Sequence, residues 1–203
     1  TDAGLLLIPS SITTGIMMPF VGKMIQRGVP QTYMAASGFL VFFIFTFLMH
    51  GIMTPDTGVE HMFWPLILRG VGLGLLFVPI TTLSLSTLKG KHIGEGAAFT
   101  GMMRQLGGSF GIAIITTYLT RLNQIHRVNL IGYLDQSSYK VQQTVHQLQM
   151  GFMAKGYAAN EALSKAYKAL EGKVMLQSAV LSYMDVFFYL GILFLVCIPF
   201  ILM

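Results

Sequence analysis

Residues 32–51 read TYMAASGFLVFFIFTFLMHG, a run without a single Asp, Glu, Lys or Arg. Roughly 20 mostly apolar residues in a helix cross the ~30 Å hydrocarbon core of a bilayer. Four further stretches of this kind lie around it, at residues 4–21, 63–85, 96–119 and 178–203. The expectation is an all-α membrane protein with five transmembrane helices.

Composition points the same way. The 203 residues are 54% hydrophobic and only 10% charged, with a mean hydropathy of +0.66. A soluble domain carries about a quarter charged residues, so this chain lacks the polar surface of a dissolved globule. Its twenty-two Gly suit helices that approach closely in lipid. The net charge of +5 is scattered between apolar blocks and forms no dense patch, which argues against a nucleic-acid partner. Cys197 is the one cysteine, so it has no intrachain disulfide partner. The chain opens Thr1-Asp2-Ala3-Gly4 straight into an apolar run, without an initiator Met, a basic leader region or a cleavage site. It reads as a piece that begins partway through a larger protein.

Short-loop charges set an expected orientation. Lys23 and Arg27 lie in the first connector, Lys89 and Lys91 in the third, and only the acidic Asp56 and Glu60 in the second. Connectors one and three therefore face the cytoplasm, which puts residues 120–177 outside. That segment carries seven basic residues, but loops approaching about 60 residues escape the charge rule. Within it, Val141, Val145, Leu148 and Phe152 share one helical face, with Ser137 or Ser138 as N-cap and Gly156 just past the end. Asn160 is read as the cap of a second pattern striped by Leu163, Tyr167, Leu170 and Val174, with Glu161 and Lys165 at i,i+4. The segment reads as an extramembrane helical hairpin whose second arm can continue into the last span. It either packs on the top of the bundle or serves as a docking surface or a cap on an exit path.

Several residues break the apolar rule. Arg104, followed by Gln105, sits near the middle of the fourth span, where a charge is expected to face a cavity or a partner. Arg69 in the third span either does the same or snorkels to the interface. Asp185 in the last span reads as a proton carrier, an Arg partner or an interfacial residue near the helix start, with Ser182 and Tyr183 favouring the last. Gly70 and Gly74, and Gly107, Gly108 and Gly111, give small-residue spacings for helix packing. Gly70-x-Gly72-x-Gly74 lacks the strand context of a dinucleotide fingerprint. The five histidines show no metal-ligand spacing and Cys197 has no nearby histidine in sequence, so enzymatic chemistry, a metal and a cofactor have no support.

The segment from Gly15 to Pro30, through Gly22, Lys23 and Arg27, resembles the cytoplasmic-loop signature of the major facilitator superfamily, although Gln26 stands where that signature has Asp and Val29 where it has Gly. Arg69-Gly70-Val71-Gly72-Leu73-Gly74 with Pro79 resembles a later span of its EmrB/QacA-like, fourteen-span drug transporters. Arg104-Gln105-Leu106-Gly107-Gly108 is the most specific match, and Ser182-Tyr183-Met184-Asp185-Val186-Phe187 resembles the opening of their last span. The resemblance implies the C-terminal part of a major facilitator helical bundle, its spans ten to fourteen, in the inner membrane. It also implies export of hydrophobic, amphipathic drugs in exchange for protons by alternating access, with the proton gradient in place of a cofactor. The implied partners are the lipid bilayer, the N-terminal transporter half and a periplasmic adaptor protein. Two alternatives stay open: the same fold carrying a siderophore, lipid or metabolite, and a structural subunit of a membrane complex.

The orientation has a direct check. Single cysteines at Gln26 and Gln149, in a Cys197→Ser background, should be modified by an impermeant thiol reagent from opposite sides of the membrane. Labelling of both from one side would contradict the five-span reading.

Overall fold

The computed structural model describes residues 2–54, 57–90, 92–134 and 139–203, with the side chains of 2, 3, 5, 6 and 59 left aside. Asp56, Lys91, Ser137 and Ser138, used in the sequence reading, lie outside the described residues. The described elements are helices: α1 (Asp2–Gln26), α2 (Gln31–Ile52), α3 (Val59–Leu85), α4 (His92–Gly132), α5 (Tyr139–Ala154) and α6 (Ala159–Leu202). Gln31–Ile52, Glu60–Leu85 and Ala159–Leu202 are long and apolar enough to cross a membrane. The centre of α4 is diluted by Arg104, Gln105 and a Gly-Gly-Ser run.

Two helices outrun the expected spans. α4 continues past residue 119 to Gly132, because no Gly or Pro interrupts the chain between Gly111 and Gly132. α6 is one helix from Ala159 to Leu202, so the second hairpin arm and the last span are a single element. Asp185 therefore lies in mid-helix, and the helix start expected near it does not exist. Asn160 likewise sits inside the first turn of α6 instead of capping it.

The chain forms two compact units, Thr1–Ile115 with Met184–Met203, and Thr116–Tyr183. In the first, α3 packs against both α1 and α2. A Cβ on Gly70 would stand 2.5 Å from the Ser10 carbonyl oxygen and 2.7 Å from Thr13 Cβ, and one on Gly74 would stand 2.6 Å from Met17 Cβ. Thr14 Oγ1 lies 2.8 Å from the Ser10 carbonyl and 3.2 Å from that of Gly70, so its hydroxyl donates within α1 and across to α3. On the α2 side, Gly72 leaves room for Phe42 and Gly38 for Leu76. Lipid tails are as apolar as Leu, so helices associate through such close packing and polar bonds. The last part of α6 runs antiparallel to α2: Phe194 meets Phe42 at 4.8 Å, Phe187 meets Phe45 at 6.0 Å, and Gly191 fits against Thr46. Gly107, Gly108 and Gly111, expected to pack as well, have nothing within 4 Å. They lie on α4, none of whose described residues is buried.

In the second unit, Ser178 Oγ donates to Asn123 Oδ1 at 3.0 Å, and Arg127 Nη2 donates to Glu171 Oε1 at 2.8 Å. The buried positions of the hairpin's second arm are Ala162 and Ala166, whereas Leu163 and Tyr167, on the expected stripe, are exposed. The buried stripe is thus shifted by one residue, because small side chains let the helices approach. At the α5–α6 turn, Gly156 takes φ +92. Its N–H donates to Met153 and that of Tyr157 to Phe152, which closes α5 with the paired bonds of a left-handed glycine cap. The Phe152 and Tyr157 rings meet at 6.3 Å over it. Lys165 Nζ lies 3.3 Å from the Tyr157 ring centroid. A hydrogen bond from Lys165, and then its charge, hold the Tyr157 phenol below its ordinary value.

The α1–α3 contact makes a testable contrast. Gly70→Ala forces a Cβ onto a backbone oxygen, so it should destabilise the detergent-purified protein by about 1–3 kcal/mol, the usual scale of overpacking. Gly22→Ala, in helix and with nothing within 4 Å, should be neutral or slightly stabilising. Equal unfolding temperatures for the two variants would refute the packing.

Candidate functional site

With one face of α3 on α1 and another on α2, a third face carries Arg69, Leu73, Phe77 and Ile80, at the i, i+4, i+8 and i+11 positions of one stripe. Two clefts open on it and share Leu73.

The first, of about 400 Å³, lies between α3 and α1. Arg69 lines it, half-buried, together with the hydroxyl-bearing Ser10, Ser11 and Thr14. Ser11 donates to Leu7 O and Thr14 to Ser10 O. The protons of these two hydroxyls are thus committed to the backbone.

The second cleft, of about 380 Å³, lies between α3 and α4. Its walls are mostly apolar, from Leu73, Leu76, Phe77 and Ile80 on α3 and Met103 on α4, with Thr81 and Thr100 at its margins. Arg104 reaches into it with its guanidinium carbon 4.9 Å from the Phe77 ring centroid. Arg104 itself is exposed, and the group beside its guanidinium is an aromatic face. A cation on an aromatic face gains about 0.5–2 kcal/mol. Gln105 is exposed and does not line the cleft.

Asp185 is half-buried on α6, apart from both clefts. Beside it, His50 Nδ1 at the end of α2 donates to the Met184 carbonyl at 2.9 Å, and the His50 ring lies 5.4 Å from that of Phe188. His50 gave no signal in the sequence beyond being polar at the end of an apolar run. Phe77, the support of Arg104, was hidden among many Phe, although its place eight residues after Arg69 could have marked it.

In the signature loop, α1 runs through Gly22 and Lys23 to Gln26, and the chain turns at Gly28, whose φ is +87. Gly28 N–H donates to Ile25 and Val29 N–H to Met24, the same paired-bond glycine cap as at Gly156. Arg27 stands at the helix end and Pro30 flanks the start of α2, where a fixed φ of −60 suits it. Among the described residues, no three His, Cys, Asp or Glu side chains come together as a metal site.

The chain is similar to the fatty acid resistance protein FarB of Neisseria gonorrhoeae, 24% identical over 97% of this chain and 37% of that protein. It is 31% identical to the MFS-type transporter YhcA of Bacillus subtilis, over 62% of this chain and 23% of that one. It is 24% identical to the multidrug export protein EmrB of Escherichia coli, over 73% of this chain and 29% of the relative. The chain thus spans between 23% and 37% of the length of these relatives. No family model matches it, and no solved structure does. A homologue of MFS-type transporters built from long apolar helices is a multi-pass membrane protein.

The position of Asp185 carries a prediction. Asp185→Asn keeps size and hydrogen-bonding capacity, so it should purify with the yield and unfolding temperature of the parent, whereas Asp185→Leu should lose yield. A leucine variant as stable as the parent would exclude a structural role for this carboxylate.

Proposed function

We propose that this chain, a relative of MFS-type transporters along most of its length, forms part of a secondary active transporter that exports amphipathic drugs or toxic compounds by alternating access in exchange for protons. One observation carries the proposal: the similarity to a fatty acid resistance protein runs over 97% of the chain, through the hairpin as well as the apolar helices. An apolar cleft with a single guanidinium suits a ligand with a greasy body and a polar end. In this reading the Gly28 turn faces the cytoplasm, the α5–α6 hairpin faces outward, and the membrane is the inner one. The rest of the transporter completes the bundle, and a periplasmic adaptor is the partner for the hairpin.

Export by the full-length protein tests this. Cells expressing it should clear a lipophilic dye faster than control cells, and a protonophore should abolish the difference. Arg104→Ala should insert normally but export less. Arg104→Lys should recover only part, because a compact ammonium does not reproduce a planar fork of donors. Asp185→Asn should leave proton coupling intact. Export that survives the protonophore, or full export by Arg104→Ala at equal expression, would count against the mechanism.

A further inference from the structure

We infer that Arg69 is one half of an ion pair whose carboxylate stands on a helix of the protein outside these 203 residues, and that the cleft between α1 and α3 seats that helix. The pairing rests on the reading above that further chain completes the bundle, and it is independent of what the transporter exports.

Arg69 is half-buried and makes no hydrogen bond or ion pair with a described residue. Its depth is fixed from two sides. The neighbouring Gly70 abuts Ser10 and Thr13, which lie about two to three turns into α1. Along α3, Arg69 stands about 15 Å from the start at Val59. A guanidinium at such depth in an apolar bundle calls for a counter-charge. Among the described residues, no acidic side chain lines the cleft. Its polar groups are the hydroxyls of Ser10, Ser11 and Thr14, all neutral, and Ser11 and Thr14 already donate to backbone carbonyls.

The occupant follows from the faces of α3. One face is taken by α1 and another by α2, while the stripe that carries Arg69 and Leu73 stays open. The chain matches only 37% of the length of its fatty acid resistance relative, so most of a protein of that kind is available to close the stripe. A carboxylate on a packed helix can stand at any depth and accepts two parallel N–H bonds from a guanidinium fork. A phospholipid phosphate offers similar oxygens, but its place is the headgroup layer outside the hydrocarbon core.

The test uses the full-length protein in nanodiscs of zwitterionic phospholipid, with photoreactive p-benzoylphenylalanine at Ser11, an exposed residue of the cleft. Irradiation should join it to a peptide beyond residues 1–203 that carries an Asp or Glu within one turn of the joined residue. Arg69→Met should lower the unfolding temperature by several degrees, because it leaves that carboxylate unpaired. Replacing the carboxylate by Leu in the same variant should restore the temperature, since a buried pair exchanges for apolar residues at little cost. Arg69→Lys, which keeps the charge, should fall between Arg69→Met and the parent. A photoproduct with lipid alone, none with protein, or a partner peptide without a carboxylate overturns the proposal. A double variant no more stable than Arg69→Met overturns it as well. Should Arg69→Met not fold, Arg69→Glu with Lys at the partner position replaces it, and a yield no better than that of Arg69→Glu alone overturns the pairing equally. The pair found in a protein that exports nothing would sink the transport reading and leave the pairing standing. Export by a protein without the pair would sink the pairing alone.

Discussion

The backbone of α1 comes so close to α3 at Gly70 that a single methyl group would collide with the Ser10 carbonyl. The rest of the first unit follows from that contact. Helices in lipid gain nothing by hiding apolar surface from one another, so they associate where small residues let backbones touch and where polar groups bond across. Gly70, Gly74 and the Thr14 hydroxyl do this toward α1, and Gly72 with Gly38 toward α2. With two of its faces committed, α3 has one left, and both arginine-lined clefts open on that face.

The two arginines meet different surroundings. Arg69 lines a cleft together with the hydroxyl-bearing Ser10, Ser11 and Thr14 of α1. Arg104 has the Phe77 ring, which answers its charge but not its directional donors. Arg104 and Phe77 are both exposed where they meet. The chemistry and the packing are therefore one argument. Without the close α1–α3–α2 contact, the arginine-bearing face of α3 would have no fixed direction.

Helix class was legible in the sequence because apolar runs of bilayer length have few other solutions, and the relatives agree with that reading. Helix ends were not. At residues 119 and 178 the polarity changes but the backbone meets no Gly or Pro, so α4 and α6 continue. Polarity reports where a helix changes solvent, whereas backbone chemistry reports where it stops. Gly156 could be read as a terminator because it follows an amphipathic stretch, while Gly28 was overlooked beside the signature residues Gly22 and Arg27. The shift from Leu163 to Ala162 on α6 was hidden because hydrophobicity favours the larger residue and close approach favours the smaller. Arg104 was conspicuous as a charge in an apolar run. Its seat on Phe77 is a tertiary contact with no local signature.

The central proposal is that α4 crosses the bilayer with one polar stripe turned to a cavity. Spin labels placed one at a time along residues 96–119 of the full-length protein in bilayers, with accessibility to a water-soluble relaxation agent and to oxygen, test it most directly. The account predicts a helical period, with water accessibility highest at Thr100 and Arg104 and oxygen accessibility highest on the opposite face. Uniform water accessibility along the segment would contradict a membrane span, and a peak of oxygen accessibility at position 104 would contradict the cavity.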